Sequence, residues 1–200
     1  MTDSRSEGLN EGPVGGSPDG FEGPDPSPFI GRLSADDAFH REAAAWSLGN
    51  IGNQRASRPL AGLLLREIST VERTGYLDHG AVVCAVSVAI RKLGAIGALY
   101  ALFRSLTVLA RSKGVDRETV EEIIETIAEV GGPNAVREAA DRVIQTARTC
   151  DKCPGLEVVG SVLLEYTSLC GDAAISTIRR VAVNGPEALR PMAKRVLSFL

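Results

Sequence analysis

Small and aliphatic residues recur along this chain at helical spacing, and the arrangement as a whole returns about every forty residues. Arg41-x-x-Ala44-Ala45-x-x-Leu48-Gly49-x-Ile51-Gly52 is followed by Ala56, Pro59-Leu60 and Leu63-Leu64, and weaker copies of the unit end at Gly94, Gly131 and Cys170. A fixed period in this range predicts a helical solenoid, in which each helix pair buries its apolar face only by stacking on its neighbours.

Punctuation between the apolar runs sets the elements. Ser34-x-x-Asp37 resembles a capping box and predicts a helix running to about Asn50. Its partner spans roughly 55–68, with Pro59 early enough that its missing N–H costs little. A second pair is predicted at about 79–93 and 97–112, a third at 117–130 and 134–149, and a fourth at 156–169 and 173–183. Gly131-Gly132-Pro133 divides the third pair, supplying a left-handed cap and a proline start. Ala56, Ala98, Ala135 and Ala174 keep one offset through the four units. A last helix at 186–200 repeats only the first half of the unit, with Arg190, Ala193 and Leu197 standing as Arg41, Ala44 and Leu48 do. It acts as a cap. Leu48, innermost in the best-formed unit, is expected to be fully buried.

Composition supports an α fold and bounds the setting. The chain is 44% hydrophobic but only 4% aromatic, as suits helices packed through Ala, Leu, Val and Ile. Residues 1–28 are Gly-, Pro- and acid-rich with almost nothing to bury, which predicts a disordered tail before a repeat domain at 29–200. Phe21 interrupts the tail as a candidate docking residue, and Phe29-Ile30 are expected to cap the first helix pair. The formal charge of −3 is uneven, since residues 1–33 carry six acids against Arg5 and Arg32. The remainder is nearly neutral, which argues against nucleic acid as a partner. No apolar run suits membrane insertion or a signal peptide, so a cytoplasmic chain with reduced cysteines is expected.

The repeat residues resemble the HEAT-repeat superfamily, in particular its short bacterial branch named after phycobilisome lyases, over roughly 34–200. Arg41, Ala44, Ala45, Leu48, Gly49, Ile51 and Gly52 carry the resemblance. Later units place Val83, Val120 and Val159 where the first has Arg41, and Asn53 stands where the family has aspartate. The resemblance implies an all-α, right-handed α-solenoid of about four helix pairs plus a C-terminal capping helix. It also implies that second helices line the concave side. Most such proteins are binding scaffolds, and the lyase branch suggests a tetrapyrrole-handling lyase or chaperone as an alternative. HEAT-type hydroxylases need His-Glu pairs to hold iron, and neither His40 nor His79 is followed by Glu. HEAT-type glycosylases need concave aromatics over a basic groove, whereas Trp46 sits among alanines and is expected in the core.

Two constellations carry candidate chemistry. Cys150-Asp151-Lys152-Cys153 could bind half a zinc site, with Cys170 as a weak third ligand, or form a redox disulfide; a thiol- or zinc-dependent regulator is therefore a second alternative. The predicted second helices are rich in arginine, and Arg58, Arg104, Arg137 and Arg179 come from four consecutive units. Together they predict a basic ladder that receives an acidic segment of a protein partner. Glu118, Glu121, Glu122, Glu125 and Glu129 give the third first-helix an acidic outer face. No nucleophile elbow, phosphate loop or metalloprotease motif is present, so the expected function is a non-catalytic adaptor without a cofactor.

Overall fold

A computed structural model describes residues 24–150 and 152–200, without the side chains of 172–174. The expected tail and Phe21 fall largely outside these residues. Among the described residues the regular structure is helical: α1 (Ser27–Arg32), α2 (Ala38–Ile51), α3 (Ser57–Thr74), α4 (Gly80–Leu93), α5 (Leu99–Leu109), α6 (Arg117–Thr149), α7 (Leu156–Ser168), α8 (Asp172–Asn184) and α9 (Arg190–Leu197). No strand is present among them, and a single bridge pairs Tyr76 with Lys113. Among the described residues no helix is long and apolar enough to cross a membrane.

Helix α1 opens the described part of the chain. Ser27 and Pro28 belong to α1, with proline in its first turn, and Phe29 and Ile30 pack half-buried on the core. The expected capping role of Ser34 is corrected. Asp37 caps α2 instead, its Oδ1 accepting from the Phe39 N–H at 3.1 Å. An aspartate does the same for α6, where Asp116 Oδ1 accepts from the Thr119 N–H at 2.7 Å.

The two glycines of the leading motif have separate causes. Gly52 ends α2 at φ 72°, a left-handed conformation that favours glycine. Gly49 has a helical backbone, but a Cβ there would lie 2.9 Å from the Ala89 Cα. Its missing side chain lets α2 and α4 approach closely. Gly132, at φ 70°, breaks α6 into segments 117–131 and 133–149, which restores the helix pair that the sequence predicts. Short 3₁₀ turns at Gln54–Ala56 and Ile96–Ala98 introduce α3 and α5 alike, and the Gln54 side-chain amide donates to the Leu93 carbonyl across them.

Helix contacts follow two alternating series. In one, α2 packs on α4, α4 on α6, α6 on α7 and α7 on α9; in the other, α3 packs on α5 and α5 on α6. The first half of α6 meets α4 through Thr126, which bonds the Ser87 carbonyl at 3.1 Å. Its second half meets α5, where the Arg142 guanidinium lies 5.1 Å from the Phe103 ring centroid. Leu48, Leu60, Leu64, Ile90, Leu102, Leu106, Ile123 and Ile127 fill the space between the series and are wholly buried. At ~1.5–3 kcal/mol for each fully buried aliphatic side chain, this contiguous core is the main source of stability.

Candidate functional site

The four predicted arginines stand on four helices: Arg58 in the first turn of α3, Arg104 on α5, Arg137 on the second half of α6, and Arg179 on α8, which packs mainly on α9 and α7. Their surroundings differ. Arg58 and Arg179 are exposed, and among the described residues neither has an ion-pair partner. Arg137 is exposed and donates only within its own helix, to Asn134 Oδ1 at 3.3 Å. Arg104 is half-buried and bound to Glu72 Oε2 at 2.8 Å. That hydrogen bond, reinforced by the carboxylate's charge, holds its guanidinium further in the charged form.

Glu72 is a correction to the predicted charge balance. The sequence reading ends the second helix near Ile68, whereas α3 continues to Thr74 and adds an acid to this surface. Other arginines on these helices are also engaged. Arg142 binds Glu138 at 2.7 Å, Arg180 reaches Asp141 at 3.3 Å and so ties α8 to α6, and Arg66 donates to the Leu33 carbonyl. Of the four predicted arginines, Arg104 is thus paired with a carboxylate, whereas Arg58, Arg137 and Arg179 have no ion-pair partner among the described residues.

The first series has the opposite character. Arg91 on α4 faces Glu122, Glu125 and Glu129 on α6 at 3.2, 2.5 and 3.8 Å. Burial pushes the Glu122 carboxyl up despite the pull of Arg91, and the neighbouring glutamates push the same way. Arg117 bridges Glu121 and Glu165 at 2.5 and 2.6 Å, joining α6 to α7. The acidic face was legible as a stripe of glutamates on one predicted helix; Arg91, which belongs to the preceding unit, could have been found by aligning the repeats.

Trp46 is not in the core. It is 39% exposed, and the Lys92 ammonium stands 5.8 Å from its ring centroid. Placing it among alanines misjudged the helix face, because Ala44 and Ala45 turn inward while position 46 turns out. Phe39, two turns earlier on the same face of α2, is 70% exposed.

The cysteines are also rearranged relative to expectation. Cys150 and Cys153 form a disulfide with a Cα–Cα distance of 6.1 Å, one of the arrangements that the sequence left open for this pair, although reduced cysteines were the general expectation. Cys170 stands apart from them, within reach of the Tyr166 carbonyl at 3.4 Å. Among the described residues no group of three His, Cys, Asp or Glu side chains is arranged to hold a metal. Cys84 lies against Thr119, and burial pushes its thiol up to about 11.

No family model matches this chain, and no curated protein matches it.

Proposed function

We propose that the chain is a non-catalytic, HEAT-type scaffold: a right-handed solenoid of four helix pairs closed by α9, binding an acidic segment of a partner protein through Arg58, Arg104, Arg137 and Arg179. The alternation of helix contacts along two series supports the repeat architecture. The guanidinium groups of Arg58 and Arg179, exposed and without a carboxylate partner among the described residues, carry the binding reading. An exposed arginine has five donors in a planar fork that suits a carboxylate, and several on one surface act on the same extended segment. Arg104 contributes by exchange, since a partner carboxylate replaces Glu72 in its coordination.

The test uses a fluorescein-labelled, glutamate-rich dodecapeptide and fluorescence anisotropy. Arg58→Glu with Arg137→Glu is expected to weaken binding by about tenfold or more, as two charge-assisted contacts become repulsive. The melting temperature should hold, because both side chains are exposed. Wild-type affinity that survives the double substitution, or that does not fall between ~50 and ~300 mM salt, contradicts the reading.

A further inference from the structure

The disulfide between Cys150 and Cys153 opens onto a groove that the scaffold reading leaves unused. Cys150 ends α6, and Cys153 stands three residues before α7 begins. The two differ in anchorage. Cys153 packs against the hydrophobic core, its carbonyl accepts from the Leu156 N–H at 3.0 Å, and Gly155 is pressed so close to α5 that a Cβ there would meet the Leu109 carbonyl at 2.1 Å. Cys150 is half-buried and, among the described residues, is not one of those packed against that core. Breaking the bond therefore leaves Cys153 fixed and Cys150 free at the end of a helix.

Beside Cys153 lies an open groove of about 470 Å³, lined by Pro154, Leu156, Ala188, Pro191 and Met192, with Glu157 and Arg195 at its polar edge. Its volume is that of sites holding small ligands or short peptide stretches, ~300–1,000 Å³. The other two cysteines do not compete for thiol chemistry, since burial holds both thiols in the protonated form.

We propose that Cys150–Cys153 is a thiol–disulfide exchange site whose substrate is a cysteine flanked by apolar residues in a polypeptide seated in this groove. The peptide thiolate attacks the Cys153 Sγ in line with the S–S bond. A bond forms between the peptide sulfur and Cys153, the Cys150–Cys153 bond breaks, and the electron pair leaves on the Cys150 sulfur. Once it takes a proton from water, its S–H has an acceptor in the Lys152 carbonyl, 3.1 Å from the Cys150 Sγ. A second peptide thiol then displaces Cys153 from the mixed disulfide. Two peptide thiols are thereby oxidised to a disulfide and Cys150–Cys153 is reduced to a dithiol; a low-molecular-weight disulfide such as oxidised glutathione restores it.

The experiment uses the full chain in its oxidised form, with two acetylated peptides as probes, Leu-Leu-Cys-Leu and Gly-Gly-Cys-Gly, at equal thiolate concentration. Acid quenching and mass spectrometry then follow the mixed disulfide. The leucine peptide is expected to react about tenfold faster, which corresponds to ~1.4 kcal/mol of groove binding, and the adduct should map to Cys153. Ala188→Arg, at an exposed position on the groove wall, should remove that advantage while leaving reduction by dithiothreitol unchanged. Equal rates for the two peptides, adducts on Cys150, or an advantage that survives Ala188→Arg would overturn the proposal. So would a chain whose Cys150 and Cys153 both alkylate before any reductant is added.

Discussion

The Nε of Arg41 donates to Glu67 Oε1 at 2.8 Å in a part of the molecule where both side chains are almost closed to water. The same guanidinium donates through Nη1 to the Ala35 and Asp36 carbonyls at 3.0 and 2.6 Å. One side chain thus fixes α2 to α3 and holds the turn that precedes them. Val83, Val120 and Val159, at the matching place in later units, are wholly buried. The position is interior in the four full units and polar on both sides in the first, whereas Arg190 in the closing half unit is exposed.

Removing one member of this pair strands a buried charge. Arg41→Met or Glu67→Leu should each cost about 3–5 kcal/mol in urea unfolding. The double variant Arg41→Val with Glu67→Leu should cost less than the two single changes summed, since valine serves at that place elsewhere in the chain. Single variants within ~1 kcal/mol of wild type would show that the pair contributes little.

Leu48 has no exposed surface. Leu48→Ala should cost about 2–5 kcal/mol through lost transfer energy and the cavity left behind. The measurement is the midpoint of chemical denaturation at constant slope; a loss under ~1 kcal/mol would mean that the site collapses around the alanine.

Two glycines in helices should respond in opposite ways. Gly49→Ala drives a methyl group into the Ala89 backbone at 2.9 Å and should destabilise by about 1–3 kcal/mol. Gly62→Ala on α3 meets nothing within 4 Å and should stabilise by about 0.5–1 kcal/mol through lower unfolded-state entropy. The comparison separates close helix approach from mere absence of a side chain.

The helical class and most helix bounds were legible because capping and turn residues mark them. The third pair is the clearest case, since glycine at φ 70° followed by proline can hardly continue a helix. Glu72 was not legible, because nothing local between Ile68 and Gly75 tells where α3 stops; tertiary packing of Val71 carries it onward. Trp46 was misplaced because α2 is apolar on nearly every side, so pattern does not select its inner face. The arginines were visible as residues, but their pairing with Glu72, Glu138 and Asp141 depends on contacts within and between helices.

Glu122 gives the fold a pH dependence of unusual sign for a carboxylate. Burial raises its pKa in the folded chain above the unfolded value, so its contribution favours folding below the ordinary carboxylate range and is lost as pH rises through the raised value. Glu122→Gln mimics the protonated acid at all pH. Its melting temperature relative to wild type should rise as the pH is raised from ~3, below the ordinary carboxylate range, to ~7; a relative fall would mean that pairing with Arg91 outweighs burial.

On the proposed reading, an acidic partner segment lies along Arg58, Arg104, Arg137 and Arg179, on α3, α5, the second half of α6 and α8. Photo-crosslinking with a glutamate-rich dodecapeptide carrying a benzophenone, followed by mass spectrometry, tests it most directly. The account predicts adducts on α3, α5, residues 133–149 and α8, lost when Arg58 and Arg137 are both reversed to glutamate. Adducts concentrated on α2, α4 or α7, or an unchanged pattern in the reversed variant, would contradict it.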